Sequence, residues 1–301
     1  MDKQAPVKPI LFGEVLFDCF PDSSVVMGGA PLNVAWHLKG FGLNPLLISR
    51  VGDDDYAGLV MDNLIEWGLD ITGIQVDKTY PTGRVEITLQ DGQPDFSILP
   101  DQAYDYINSE TVEQVVASLD SAMLYHGSLA ARNAVSMQAL QYLRKRYSNN
   151  LFVDINLRQP WWNPGLVNEL AASALWLKLN DIELSELSGN NSLLLENVGQ
   201  EYARQNDIAH LILTLGEKGV YLIERDNLIH GAPVLVDQVV DTVGAGDAFS
   251  SVMILGITHG WDSAEALPRA LEFASYICTV RGATISNHTV YKKFLENWGV
   301  S

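Results

Sequence analysis

The densest group of chemistry-bearing residues in the 301-residue chain is Asp241-Thr-Val-Gly244-Ala245-Gly246-Asp247-Ala-Phe249, which runs straight into a segment of helical period. Gly244, Ala245 and Gly246 are small enough for their backbone N–H groups to converge on one ligand. The helix starting there adds the positive end of its dipole, so the segment can hold an oxyanion or a phosphoryl group. A carboxylate at Asp247 would repel that anion unless its task is to take a proton from an attacking hydroxyl, as phosphoryl transfer to an alcohol requires. Local chemistry leaves a second reading open, in which Asp247 is an acidic first-turn residue favoured by the helix dipole.

Such residues need elements to hold them in register. Short β-branched or apolar runs alternate with longer segments of helical period, the pattern of stacked βαβ units and a largely parallel sheet. Strands are predicted at Pro9–Gly13, Leu46–Val51, Ala122–His126, Leu151–Ile155, Leu175–Leu179 and His210–Leu215. Helices are predicted at Ala30–Phe41, Tyr56–Trp67, Ala134–Tyr147, Leu193–Gln205, Ala245–Thr258 and Ala264–Val280. The fold class is therefore α/β, with three α/β/α layers. Leu16–Met27 and Thr82–Leu99 break the rhythm and read as hairpins, the second turning at Gln90-Asp-Gly-Gln, where Asp-Gly between alternating runs is a strong turn signal. Hairpins inserted into a βαβ chain must pair outside the parallel sheet, which predicts a small β appendage over one edge of the core; an irregular surface excursion is the alternative.

Composition narrows the function classes. Nineteen Lys and Arg stand against 37 Asp and Glu, a net charge of −18, while 47% of residues are hydrophobic and 19% charged. The apolar content supplies a large core. The acidic balance argues against nucleic-acid and anionic-membrane partners, whose affinity rests on Lys and Arg. Cys19 and Cys278 are too few and too far apart for a disulfide scaffold, no signal-like or membrane-spanning run occurs, and a reducing cytoplasmic location is expected. The six histidines have no metal-ligand spacing. No Walker A motif and no dinucleotide-type glycine fingerprint after a strand is present.

Further motifs join the first one in order along the chain. Gly28-Gly29-Ala-Pro-Leu-Asn33-Val-Ala35, Arg50-Val-Gly-Asp-Asp-Asp-x-x-Gly58 and Asp241-Thr-x-Gly-Ala-Gly-Asp247 together resemble the PfkB, ribokinase-like family of carbohydrate kinases, over about Ile10 to Ala283. The resemblance implies one kinase domain over residues 1–301, with a ribokinase-like core and a β lid made by segments of about 15–27 and 82–99. It implies an ATP-dependent sugar kinase, nearest to fructokinases. The alternatives are a 2-keto-3-deoxygluconate kinase, a ribokinase or a nucleoside kinase of the same fold, or a non-catalytic sugar-sensing protein.

Residue roles follow from the same resemblance. Asp247 is expected to be the base and the backbone of Gly244, Ala245, Gly246 and Asp247 the anion hole, while Asp18, Gly29 and Asn33 match sugar-binding positions. Asp154-Ile-Asn156-Leu-Arg158-Gln-Pro-Trp161-Trp162 resembles a fructokinase stretch in which Arg158 would hold the γ-phosphate; a surface ion pair is the plainer reading of Arg158, and core packing that of the two tryptophans. Asn180-x-x-Glu183, read as sharing one helix face, would hold water-coordinated Mg²⁺. Thr214, Gly216 and Gly219 match a nucleotide-binding turn, and Ser275 stands where relatives often carry an adenine-side Asn. Asp241 and the Val243 carbonyl match two positions of a K⁺ site. Arg84 and Phe96 would reach substrate from the lid, His126 is read as facing the sugar or as structural, and a homodimer through the β lid is expected in some members.

Overall fold

The computed structural model describes residues 7–90, 93–190, 194–225 and 227–300. Its first part runs β1 (Lys8–Phe12), β2 (Leu16–Cys19), β3 (Val25–Gly28), α1 (Ala30–Gly40), β4 (Leu46–Gly52), α2 (Asp55–Trp67) and β5 (Ile74–Asp77). Then follow β6 (Gly83–Gln90), β7 (Gln93–Ile98), α3 (Ser109–Val115), β8 (Ala122–His126), α4 (Ala134–Arg146), β9 (Leu151–Asp154), α5 (Pro164–Ala171), β10 (Trp176–Asn180) and α6 (Asp181–Ser188). The rest is α7 (Leu195–Gln205), β11 (His210–Thr214), β12 (Val220–Glu224), β13 (Asn227–Gly231), α8 (Ala245–His259), α9 (Ser263–Ile277) and α10 (His288–Asn297).

Nine strands form one sheet in the order β13-β12-β11-β10-β9-β8-β1-β4-β5. All its pairings are parallel except those of β11 with β12 and β12 with β13. Strands covered by helices on both faces bury every residue, so β8 and β9 read as unbroken apolar runs without alternation. The pleat divides those residues between two cores. Leu11, Leu47, Tyr125 and Ile212 pack with Phe249 of α8 and Phe273 of α9, whereas Ile10, Ile48, Leu124 and Leu211 pack with Leu140 of α4 and Val198 of α7.

The expected hairpins form a separate four-stranded sheet, β3-β2-β6-β7, with β2 and β6 parallel and the outer pairs antiparallel. Val85 and Ile87 of β6 are buried and Glu86 between them is exposed, the alternation of a sheet with one face on the core. Asp91 and Gly92 of the expected turn lie outside the described residues; the strands on either side pair with Gln90 opposite Gln93. Leu193, the expected start of a helix, also lies outside them, and α7 begins at Leu195. The sequence pattern does not announce β5, β12 and β13 or helices α3, α5 and α10. Both β13 and β5 lie at edges of the sheet, and β13 buries none of its residues, so it lacks the apolar run that marks the central strands.

Candidate active site

The C-terminal ends of the central strands and the N-termini of α1 and α8 meet at one cleft. Gly244 caps α8 with φ 80°, in the left-handed region, and a Cβ there would lie 2.5 Å from both Cα and Cβ of Ala283. Only glycine satisfies both the dihedral and the contact. The first N–H groups of a helix have no intrahelical acceptor, so Gly244, Ala245 and Gly246 give the turn that the sequence expects to hold an anion.

Asp247 follows on the first turn of α8 and keeps part of its surface open to solvent. Asn33 of α1, itself buried, donates from Nδ2 to Asp247 Oδ2 at 2.8 Å. Burial pushes the Asp247 carboxyl up to about 6, against the Asn33 hydrogen bond and the charges of Lys178 and Arg158, with Asp154 adding to the rise. A carboxylate in that range is ionised at neutral pH and basic enough to accept a proton.

Gly29, between β3 and α1, has φ 114°, and a Cβ there would come within 2.5 Å of the Glu14 carbonyl oxygen. Its neighbour Ala30 donates its N–H to Glu14 Oε1 at 3.3 Å. Burial pushes the Glu14 carboxyl up to about 7, with Asp247 contributing repulsion. Asp18 on β2 is half-buried and its carboxyl is raised by burial. The charge of Arg158 favours the ionised carboxylate of Asp18, Glu14 and Asp247 alike, so these groups share one neighbourhood.

Beneath the α8 N-terminus lies a buried ion pair. Lys178 Nζ bonds both oxygens of Asp154, at 2.9 and 2.8 Å, and Oδ2 also accepts from Ser250 at 3.0 Å and Tyr125 at 3.2 Å. A Cβ on Gly246 would sit 3.3 Å from Nζ, so the ammonium lies against the backbone of the turn that opens α8. Despite burial, the Asp154 charge and hydrogen bonds raise the Lys178 ammonium above its usual range, and it stays charged.

Asn180 and Glu183 are hydrogen-bonded to each other at the start of α6. Asn180 ends β10 and caps α6, its Oδ1 accepting the Glu183 N–H at 2.8 Å, while Glu183 Oε2 accepts the Asn180 N–H at 2.8 Å. Glu183 Oε1 accepts the Leu157 N–H at 2.8 Å, which ties the loop after β9 to this capping box. Each Glu183 carboxylate oxygen keeps one lone pair for a further contact. Among the described residues no group of three or more His, Cys, Asp and Glu side chains could hold a metal ion directly.

Thr214 ends β11 opposite Asn180, and its hydroxyl donates to the Leu179 carbonyl at 3.3 Å. The turn after it holds Gly216 at φ 59° and Gly219 at φ 92°; a Cβ on Gly219 would strike the Gly231 carbonyl oxygen of β13. Asp241 is tied at both oxygens, to the N–H of Val243 at 3.0 Å and of Gly282 at 3.1 Å, and the Val243 side chain is exposed.

The Arg158 side chain is exposed and makes no hydrogen bond or ion pair with another described residue, while its carbonyl accepts the Trp161 N–H at 2.7 Å. His126 is structural. Arg144 Nη1 must donate to its Nε2 at 2.7 Å, so Nδ1 carries the proton given to the Gly127 carbonyl at 2.9 Å; burial and Arg144 lower its pKa to about 3. Trp161 donates to the Ile98 carbonyl at 3.1 Å and stacks under Arg132, joining the small sheet to the loop after β9. Phe96 is exposed, and the Nε of Arg84 is buried without a partner.

The sequence motifs single out neither Glu14 nor Lys178. The available signal in each case is a charge set into an apolar run, Ile10–Phe17 and Leu175–Leu179. A charged residue in a core strand is buried only when paired or functional.

This fold, with a helix N-terminus and a carboxylate at the mouth of a parallel sheet, defines a phosphotransferase of the ribokinase-like architecture. The chain belongs to the pfkB family of carbohydrate kinases, whose model matches residues 20–290, and it is a sugar kinase. A putative sugar kinase of Pyrococcus horikoshii is 29% identical over 76% of this chain and 73% of its own length. Fructokinase-2 of Solanum lycopersicum is 26% identical, covering 91% and 89%. Among solved structures, the Xylella fastidiosa fructokinase with bound ATP superposes at a TM-score of 0.86 with 21% identity, covering 98% of this chain and all of that one. The Vibrio cholerae fructokinase with fructose, ADP and calcium gives 0.80 at 21% identity, covering 97% and 100%. Among the described residues no helix is long and apolar enough to cross a membrane.

Proposed function

We propose that this sugar kinase is an ATP-dependent fructokinase that transfers the γ-phosphoryl group of ATP to a primary hydroxyl of fructose. The observation that carries the reading is Asp247, gripped by Asn33 on the first turn of α8 beside the anion-hole turn. Relatives named fructokinase, spanning most of the chain, support the choice of sugar.

In this mechanism Asp247 takes the hydroxyl proton as that oxygen forms its bond to γ-phosphorus, and the bond to the β-phosphate oxygen breaks to release ADP. The backbone N–H groups of Gly244–Gly246 stabilise charge on the transferring group, with Lys178 supporting them from below. Arg158, free in the unliganded protein, pairs with the γ-phosphate, and Asp18, Gly29 and Asn33 hold the sugar. The turn of Thr214, Gly216 and Gly219, with Asn180, borders the nucleotide.

Mg²⁺ fits as an ion bound to the phosphates and touched through water by Glu183, whose free lone pairs suit that role; it would neutralise phosphate charge. K⁺ would lie beside Asp241 and the Val243 carbonyl. The small sheet acts as a lid that excludes water. A homodimer through the small sheet, where Val25, Val26 and Phe96 are exposed, belongs to the same reading. The free thiols of Cys19 and Cys278 suit the reducing cytoplasm.

A coupled ADP-release assay across fructose, ribose, 2-keto-3-deoxygluconate and nucleosides tests the reading. Fructose should give the highest kcat/KM. Preference for another acceptor would reassign the substrate, and tight sugar binding without turnover would favour a sensor.

A further inference from the structure

Glu14 follows directly on β1 and lies against the glycine turn that opens α1. Its side chain is only 5% exposed. Oε1 has a structural use, accepting the Ala30 N–H at 3.3 Å, but Oε2 is buried without any partner. The same is true of Asn33 Oδ1, on the residue whose Nδ2 holds Asp247. Two acceptors beside the catalytic carboxylate are thus left open.

Two donors complete the set. Tyr104 OH and Arg132 Nη1 are also buried and unpartnered, and both residues lie within electrostatic reach of Glu14. Arg132 is held in place by Asp105, at 2.7 and 2.8 Å, and by the Leu99 carbonyl at 2.7 Å, so its free nitrogen is a fixed donor. Buried polar atoms are normally satisfied. Acceptors and donors left open in one region match a ligand whose groups both donate and accept, which is the property of a hydroxyl.

We propose that Glu14 is a further substrate-contacting residue, its Oε2 pairing with a hydroxyl of the acceptor sugar other than the one that Asp247 deprotonates. This rests on the reading of Asp247 as the base beside the sugar. Glu14 thereby couples recognition to catalysis: one oxygen holds the start of α1, which carries Asn33, and the other reads the sugar. A site built to pair with a hydroxyl discriminates strongly against an analogue that lacks it, because the protein group is then stranded.

The test is steady-state kinetics of wild type, Glu14→Gln and Glu14→Met with the best acceptor among fructose and ribose, and with its monodeoxy analogues at the carbons not phosphorylated. Gln keeps an oxygen for Ala30 but presents a donor where Oε2 stood; Met removes both. Glu14→Gln should raise the sugar KM about tenfold, leave the ATP KM within twofold, and abolish the penalty for one deoxy analogue that wild type rejects. Glu14→Gln behaving like wild type while Glu14→Met loses activity would limit Glu14 to holding α1 and overturn the proposal. If Glu14→Gln does not fold, Glu14→Asp, which draws the carboxyl back by one methylene, is read in the same way. A wild-type protein that phosphorylates no acceptor would instead defeat the sugar-site reading on which the proposal rests.

Discussion

Asn33 Nδ2 donates to Asp247 Oδ2 at 2.8 Å although 214 positions separate the two residues. The contact locks the first turns of α1 and α8 together and offsets part of the burial that raises the Asp247 carboxyl to about 6. As the proposed base Asp247 must be ionised, so turnover should fall as pH drops through about 6. Asn33→Ala removes a hydrogen bond that favours the charged form, so its acid limb should move upward by about one unit, the size expected of a charge-assisted bond. Profiles of kcat against pH for the two proteins check this, and coincident limbs would show that Asn33 does not tune the base.

Lys178→Met should destabilise the fold by about 3–5 kcal/mol, because it strands a buried Asp154 carboxylate whose other partners, Ser250 and Tyr125, are neutral. Urea unfolding measures it. A loss below about 1 kcal/mol would show that the pair contributes little to stability.

Gly244→Ala and Gly216→Ala share a left-handed backbone but not their surroundings. At Gly216 no atom lies within 4 Å of the added Cβ, so only the dihedral cost of about 1–2 kcal/mol applies. At Gly244 the methyl collides with the Ala283 backbone. Gly244→Ala should therefore lose more stability than Gly216→Ala and should lower kcat at least about 100-fold through displacement of the anion-hole turn, as removal of one such donor does elsewhere. Comparable thermal shifts and comparable kcat for the two variants would contradict the collision.

Arg158→Ala should leave the melting temperature almost unchanged, since no described residue pairs with the exposed guanidinium. Turnover should nevertheless fall about 1,000-fold or more if the side chain meets the γ-phosphate, the range attributed to an arginine that stabilises the transferring group. Thermal melts beside kcat separate the two effects; a large drop in stability with unchanged kcat would make Arg158 structural.

Much of this arrangement was legible because backbone geometry restricts residue choice. Gly244 is required by a positive φ and a close neighbour. The hairpins that make the small sheet were legible from alternation. Pairings between distant segments were not: nothing local to Asn33 shows that it faces Asp247, or that Trp161 reaches Ile98. At Asn180 and Glu183 the i, i+3 spacing turns out to be that of a capping box at the start of α6. Glu14 and Lys178 escaped notice because each belongs to a strand-like run whose apolar neighbours dominate the pattern.

The role of Asp247 as base is tested most directly by Asp247→Asn, which keeps the size of the side chain and an oxygen to accept from Asn33. The measurement is kcat with saturating sugar and MgATP, alongside the Kd for ATP. The account predicts ATP binding within a few-fold of wild type and kcat lower by at least about 100-fold, the minimum expected on losing a general base. Near-normal turnover by the Asn variant would contradict it.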